Sequence, residues 1–299
     1  MRPTVDLPRG FDELREEPGG EEWLAALPRL VGEVAEAWSL RLGEPVEPAH
    51  IAYVAPVRLS DGGAAVLKLN VPHRESEHEA HALAHWEGLS AVRLFAHDPS
   101  RRALLLERCE PGTALSETDE DEALTVAATI LRRLARPPSP GAPFRRLEDE
   151  AARWARELPA RWARLGRPFE RALLDEAVAF LAAPAPGEEA VVLHQDLHGG
   201  NVLRAEREPW LAIDPKPLVG ERAFDTASFL RDRRPELARD PDPVRRLRRR
   251  LDRLSADLAL DRERVRGWGV VHALAWGVTE TEVMPMHVAC ARWLAALSK

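Results

Sequence analysis

The apolar positions of the chain first fall into a helical pattern. Over residues 21–40, Trp23, Leu24, Leu27, Leu30, Val31, Val34 and Trp38 recur at spacings of three and four, which places them on one face of an amphipathic helix despite Pro28. Two β-like runs follow, 50–59 and 64–69, separated by Ser60-Asp61-Gly62-Gly63, a turn sequence that predicts a hairpin. A helical stretch is predicted over 75–86, and further strands over 92–95 and 103–107. The second of these ends at Arg108-Cys109-Glu110-Pro111-Gly112. This first part therefore predicts a small sheet with one inserted helix. Beyond Gly112 long helical patterns take over, as in residues 119–136 with Leu124, Ala127, Leu131 and Leu134 on one face. Proline clusters at 137–143 and 184–186 mark loops between helices, because proline breaks the helical ladder. One polar, β-like segment, residues 191–213, interrupts the helices.

Composition narrows the function classes. A chain of 299 residues, 45% hydrophobic and 30% charged, is long enough for one large domain or two lobes and is neither disordered nor fibrous in character. No stretch approaches the roughly 18 uninterrupted apolar residues of a membrane span. The N-terminal residues lack a signal-type apolar run, so a cytoplasmic location without a membrane partner is expected. Two cysteines, Cys109 and Cys290, argue against a disulfide framework or a cysteine metal site. The net charge of −7, with 12 basic and 18 acidic residues in 1–108 against 30 and 31 in 109–299, disfavours a nucleic-acid partner. Lysine is rare: only Lys68, Lys216 and Lys299 occur, among 42 basic residues.

The segment "VVLHQDLHGGNVL", residues 191–203, carries too many polar groups for an ordinary hairpin. Taken alone, His194, Asp196 and His198 fit either hydrogen-bonded loop structure or a zinc-type metal site, since alternate strand residues share a face. The wider pattern is His194-x-Asp196-x-x-x-x-Asn201, followed by a strand ending in Asp214. This is the spacing of a phosphoryl-transfer loop, in which one carboxylate is held toward an acceptor hydroxyl while an amide and a second aspartate meet Mg²⁺. Oxygen donors suit that hard cation better than imidazoles do. Such chemistry also requires a lysine on a strand of the first part, paired with a glutamate on the next helix. Lys68 in Ala65-Val66-Leu67-Lys68-Leu69 meets the requirement, and Glu79, at the head of the stripe Leu83 and Trp86, is the partner chosen over Glu75 and Glu77.

The stretch "LHQDLHGGNVLRAEREPWLAIDPKPLVGERAFD", with "AVLKL" and "LLLERCEPGTAL" upstream, resembles bacterial aminoglycoside phosphotransferases of the streptomycin 6-kinase and hydroxyurea phosphotransferase branch, from the "GEEWLAALPRLV" helix to at least Asp261. The resemblance implies a protein-kinase-like, two-lobed α+β fold, with a nucleotide-binding lobe over 1–108 and a mainly helical catalytic and acceptor-binding lobe over 109–299. It implies Asp196 as catalytic base, Asn201 and Asp214 as Mg²⁺ ligands, and Lys68 on the phosphates of ATP. Asp225 would brace the loop, with His194 and His198 as loop architecture. Residues Glu107 to Cys109 would form the hinge against adenine. The expected acceptor is a small, amine-bearing molecule of streptomycin or hydroxyurea type, and a monomer is expected. Its contacts are assigned to Gln195, Glu221, Asp232, Glu280 and Glu282, the last two as a local acidic wall.

Two departures stand beside the likeness. Residue 195 is Gln, where related kinases often have glycine or a bulky residue, and no glycine lies between Pro45 and Ser60, where a phosphate-covering loop would run. Only ten residues separate Asp214 from Asp225, too few for a phosphorylation-gated activation segment, so a small-molecule acceptor is favoured over a protein. The alternatives are a kinase of another hydroxylated metabolite and a non-catalytic nucleotide-binding protein.

Overall fold

The computed structural model describes residues 11, 14, 19–47, 52–183, 187 and 189–298. The chain forms two compact units: Met1–Gly112 with Arg204–Leu211, and Thr113–Leu203 with Ala212–Lys299. The Gly-poor segment expected to cover phosphate includes residues 48–51, which lie outside the described residues, as does the loop at 184–186.

In the first unit, helix α1 (Gly20–Ala37) precedes strands β1 (Arg41–Leu42), β2 (Ala52–Arg58) and β3 (Ala64–Asn70), helix α2 (Glu79–Trp86), and strands β4 (Leu94–Asp98) and β5 (Ala103–Glu107). The strands make one antiparallel sheet in the order β1-β2-β3-β5-β4. The apolar stripe of α1 continues through Pro28, and its Trp23, Leu24, Leu27, Val31 and Val34 form one buried cluster with Tyr53, Ala55 and Val57 of β2, Ala65, Leu67 and Leu69 of β3, and Leu105 of β5. The three-and-four spacing of α1 thus meets the alternate positions of the strands.

Two elements differ from the periodicity. The helix expected over 75–86 starts at Glu79, because the preceding residues form turns. Ser76 Oγ donates to the Val71 and His73 carbonyls, and His73 Nδ1 accepts from Glu75 N. Such local side-chain bonds compete with helical ones. Strand β4 runs to Asp98 rather than ending at Phe95. There Asp98 Oδ1 accepts from the amides of Ser100 and Arg101 and closes the hairpin into β5.

The second unit begins with α3 (Glu120–Leu134), whose N-cap Asp119 accepts from the amides of Asp121 and Glu122. Short β6 (Arg145–Arg146) leads into α4 (Leu147–Arg164) and α5 (Arg171–Ala182). Strand β7 (Val191–Leu193) precedes the hairpin β8 (Val202–Arg204) and β9 (Trp210–Ala212), of which Arg204–Leu211 belongs to the first unit, and β10 (Leu218–Gly220) returns antiparallel to β7 and parallel to β6. Helices α6 (Ala227–Leu230), α7 (Arg234–Arg239), α8 (Pro243–Leu258), α9 (Arg262–Gly277) and α10 (Pro285–Ala295) complete the unit.

Helix α9 is buried along almost its whole length and packs against α10. At its C-terminus the close approach depends on a glycine, since a Cβ on Gly277 would stand 2.3 Å from the Cβ of His287. Neither atom can swing aside, so Gly277→Ala must separate the two helices. A loss of about 1–3 kcal/mol is expected, typical of an overpacked core. It is read as a lower urea midpoint at unchanged slope; an unaltered midpoint would show that the helices separate freely.

Candidate active site

In the first unit, β3 points Lys68 into the protein between its neighbours on β2 and β5. Only 6% of Lys68 is exposed and none of Glu79. Lys68 Nζ donates to both carboxylate oxygens of Glu79, at 2.7 and 2.8 Å, and Asn70 Nδ2 donates to Glu79 Oε2 at 2.7 Å. A buried ammonium is tolerated when it is paired and hydrogen-bonded in this way. Of the three glutamates the sequence offered, the structure brings Glu79 to the lysine. At the hinge stretch, Glu107 is held by Arg207, whose Nε and Nη2 donate to its two oxygens at 2.8 Å each, and by the Arg93 amide at 3.0 Å. Burial opposes its charge, yet these donors keep its carboxyl below the usual range. The Glu107 side chain is thereby occupied, and the Glu107 amide donates to the Arg93 carbonyl at 2.9 Å. Burial pushes the Cys109 thiol up to about 11, so it is not a ready nucleophile.

In the second unit, the loop after β7 is set by Asp225. Its carboxylate accepts from the amides of His194, at 2.8 Å, and Gln195, at 2.6 Å. Gln195 has φ 70°, a left-handed conformation unusual for a residue with a Cβ, and the Asp225 contact to its amide holds it there. Burial pushes Asp225 up to about 6 against the pull of the two amides. His194 Nε2 lies 3.0 Å from the Ile213 carbonyl, and burial lowers this imidazole to about 4, so it is neutral and donates there. His198 Nδ1 accepts from Gly200 N at 3.0 Å. These contacts employ both rings in shaping the loop. Asn201 Nδ2 donates to the Asp196 carbonyl at 2.9 Å, which turns its amide oxygen away from that backbone.

The loop and the segment after β9 meet at one lysine. Lys216 Nζ donates to Asp196 Oδ2 at 2.9 Å and Asp214 Oδ2 at 3.1 Å, and Lys216 N donates to the His194 carbonyl at 3.0 Å. Its position follows from the local sequence Asp214-Pro215-Lys216-Pro217: Pro217 favours extended backbone at Lys216, and the chain runs straight into β10, which pairs with β7. Asp214 itself has φ 56°. Burial opposes the charge on Lys216, but Asp214 and Asp196 hold it well above the ordinary lysine range. Burial likewise opposes ionisation of Asp196, yet chiefly Lys216, then His198, keep its carboxyl down at about 2. Ser228 Oγ, from α6, lies 3.3 Å from Asp196 Oδ1 and donates to the Gln195 carbonyl at 3.2 Å. Sequence reasoning missed Lys216, although its rarity was a signal: two of the three lysines in this arginine-rich chain are buried in carboxylate pairs.

The remaining acceptor candidates separate. Gln195 is buried beside Asp196 with its Oε1 unpartnered. Asp232 braces the loop instead, its Oδ2 accepting from Gly199 N at 2.8 Å. Glu221 is taken up by Arg264 and by Trp268 Nε1, at the edge of a cavity of about 360 Å³ that Phe180 and Leu147 also line. Glu280 is exposed in a turn between α9 and α10 and is neutralised by Arg161, at 2.8 Å, and Arg164. Glu282 is exposed in the same turn, so the expected acidic wall at 280 and 282 does not form, because two arginines of α4 consume half of it.

The donor chemistry fits a hard divalent cation: one amide oxygen from Asn201 and one carboxylate from Asp214. Among the described residues no group of three or more His, Cys, Asp or Glu side chains could hold a metal. Mg²⁺ needs none, since it is bound through one or two carboxylates with water and substrate phosphates.

Fold and site together define a class. Solved structures of the kinase-like fold superpose on the chain: choline kinase LicA from Streptococcus pneumoniae with a TM-score of 0.61 at 13% identity, covering 90% of this chain and 99% of that one, and macrolide 2'-phosphotransferase MphH from Brachybacterium faecium with 0.54 at 17%, covering 92% and 99%. The chain has a kinase-like α+β fold. Its sequence places it more narrowly. Residues 38–283 match the family of aminoglycoside/hydroxyurea antibiotic resistance kinases, and the chain belongs to that family. It is 42% identical to a streptomycin 6-kinase of Streptomyces glaucescens, over 83% of this chain and 81% of the relative, and 38% identical to one of Streptomyces griseus, over 97% of each. It is 40% identical to a hydroxyurea phosphotransferase of Kitasatospora aureofaciens, over 94% and 82%. The protein is a phosphotransferase of this family, and no helix among its described residues is long and apolar enough to cross a membrane.

Lys216 is the main charge that keeps the Asp196 carboxylate ionised. Replacing it by methionine leaves the burial of Asp196 uncompensated, so the Asp196 carboxyl should rise from about 2 to above its ordinary 3.8. Carbon-13 NMR of that carboxyl through an acid titration reads this directly, and an unmoved midpoint would remove Lys216 from the site.

Proposed function

We propose that the protein transfers the γ-phosphoryl group of ATP to a hydroxyl of a small antibiotic of streptomycin or hydroxyurea type and so confers resistance to it. The observation that carries the reading is the state of Asp196, a half-buried carboxylate held ionised by Lys216 beside the oxygen donors of Asn201 and Asp214. Phosphoryl transfer asks the protein mainly for positioning and electrostatic stabilisation. In this reading Asp196 accepts a hydrogen bond from the acceptor hydroxyl and aligns its oxygen. Asn201 and Asp214 hold Mg²⁺, which when bound neutralises charge on the nucleotide's phosphates. Lys68, steadied by Glu79, binds the α- and β-phosphates, and the hinge main chain from Glu107 to Cys109 receives adenine. Asp225 keeps the loop in shape without touching a reactant. The relatives' substrates support the acceptor class.

The direct test is phosphoryl transfer from ATP with Mg²⁺ to streptomycin and to hydroxyurea, detected as phosphorylated acceptor. Asp196→Asn should lower kcat by about 10²–10⁴-fold, the range of a positioned general base, while ATP binding measured by calorimetry stays within about twofold. Turnover close to wild type in that variant would refute the assignment.

Lys68→Arg keeps the charge but brings a wide planar fork in place of a compact ammonium. A loss of about tenfold in kcat/KM is expected, roughly 1.4 kcal/mol of transition-state stabilisation. Wild-type kinetics in this variant would reduce Lys68 to a structural ion pair.

A further inference from the structure

Beside Asp196 lies a group of buried polar side chains that the roles above leave unused. Arg231 follows α6 and is 4% exposed, yet among the described residues no carboxylate lies within 4.0 Å of it and its two terminal nitrogens make no hydrogen bond. Its one hydrogen bond is from Nε to His272 Nδ1, at 2.9 Å. An arginine buried to this degree normally has an anionic partner, because desolvating an unpaired charge is costly. His272, on α9, is fully buried and stacks on Trp276 at 3.8 Å between ring centroids and 14° between planes. The Arg231 guanidinium lies 5.9 Å from the same indole ring.

The Arg231 bond settles the tautomer of His272. Nδ1 accepts, so in the neutral ring the proton is on Nε2. Burial, and then Arg231, hold this imidazole well below its ordinary value, so the neutral form is the one present. His272 Nε2 is therefore a buried donor directed at the Gln195 carbonyl, without a close hydrogen bond there. Gln195 Oε1, one residue from the catalytic carboxylate, and His287 Nδ1, on the neighbouring α10, are also buried and unpartnered. Arg231 and His272 each lie near enough to Asp196 to feel its charge. Buried polar groups are nearly always satisfied, so unsatisfied ones clustered round a reactive carboxylate point to a ligand.

The chemistry of the cluster is specific. Arg231 offers a planar fork of donors, whereas the carboxylates that a polycation would require are engaged elsewhere: Asp232 on the loop, Glu221 on Arg264 and Trp268, Glu280 on two arginines. A guanidinium presented to an acceptor attracts a carbonyl oxygen and repels ammonium and guanidinium groups.

We propose that Arg231, oriented by His272, is the specificity residue of the acceptor site: its terminal nitrogens bind an uncharged oxygen acceptor, a urea or amide carbonyl, next to the hydroxyl received by Asp196, and they disfavour a polycation. This rests on the reading of Asp196 given above. Among acceptors of the proposed class it selects the small carbonyl-bearing compound over the aminoglycoside.

Side-chain NMR of the full chain, labelled with nitrogen-15 in arginine and histidine, tests the contact without requiring turnover. Hydroxyurea should shift the Arg231 Nε and His272 Nε2 signals in a saturable way, and streptomycin at equal concentration should not. No shift with hydroxyurea, or equal shifts with both compounds, overturns the proposal. In kinetics, Arg231→Gln should lower kcat/KM for hydroxyurea at least tenfold, mainly through KM, with the KM for ATP within twofold. Streptomycin should lose less than twofold, so that the preference between acceptors changes about tenfold. Equal losses for both acceptors would mark Arg231 as structural and overturn the assignment. Should the wild-type protein phosphorylate neither compound while hydroxyurea still shifts the two signals, the proposed function fails and the carbonyl site stands.

Discussion

Asp196 and Asp214, brought close on neighbouring segments, would repel one another if nothing positive lay between them. Lys216 supplies that charge, and much of the second unit can be understood as the means of delivering it. Strand β10 pairs with β7, so the chain entering β10 meets the chain leaving β7 at the same end of the sheet. Pro217 favours extended backbone at Lys216 in that entry, and the Lys216 amide is tied to the His194 carbonyl. The ammonium then bridges Asp196 and Asp214 at ordinary hydrogen-bond distances, which is why the half-buried Asp196 carboxylate remains ionised. Such a pair contributes little to stability in its own right, since desolvation offsets most of the attraction. Its value lies in fixing the charge state and orientation of the reacting group.

The loop after β7 is held from behind by a second set of charges. Arg250 of α8, 1% exposed, donates to the carbonyls of Leu230, at 2.9 Å, and Asp232, at 2.7 Å, and it pairs with Glu120 at the start of α3. Asp232, so positioned, accepts from the Gly199 amide on the loop. Asp225 receives the amides of His194 and Gln195 from the other side. Helix α3, helix α8, the turn after α6 and the loop are therefore linked through arginine and main-chain hydrogen bonds. An arginine fork can bind two carbonyls and a carboxylate at once, whereas a lysine cannot cover that fixed geometry. The bias toward arginine in this chain is consistent with that use, and the buried lysines are kept where a compact charge must sit between carboxylate oxygens.

The first unit relies on the same economy of charge. Glu79 is wholly buried and is satisfied by Lys68 and Asn70 together. Both donors come from β3, two residues apart, and so lie on one face of the strand, while the acceptor heads α2. The apolar face of α1 closes the opposite side of this sheet's core through residues that the helical spacing already marked.

Sequence alone determined the order of the main elements and the two kinds of architecture along the chain, and it singled out Lys68, Asp196, Asn201 and Asp214 as candidates. Periodicity reports which face of an element is buried, and fixed spacing within one loop is a local property of the chain. Of the three glutamates, Glu79 is the one that pairs with Lys68, because it heads the buried stripe of its own helix. Tertiary structure decided what was not local. It decided that Lys216 spans Asp196 and Asp214, that Asp232 and Glu221 are spent on Gly199 and on Arg264 with Trp268, that Glu280 is neutralised from α4, and that Arg231 is buried against His272 without a carboxylate. Each of these joins residues many positions apart, and whether a charge is free or taken depends on which oppositely charged group the fold brings within about 4 Å, where the interaction becomes strong. One-dimensional patterning carries the identity of the groups; only packing carries their pairing.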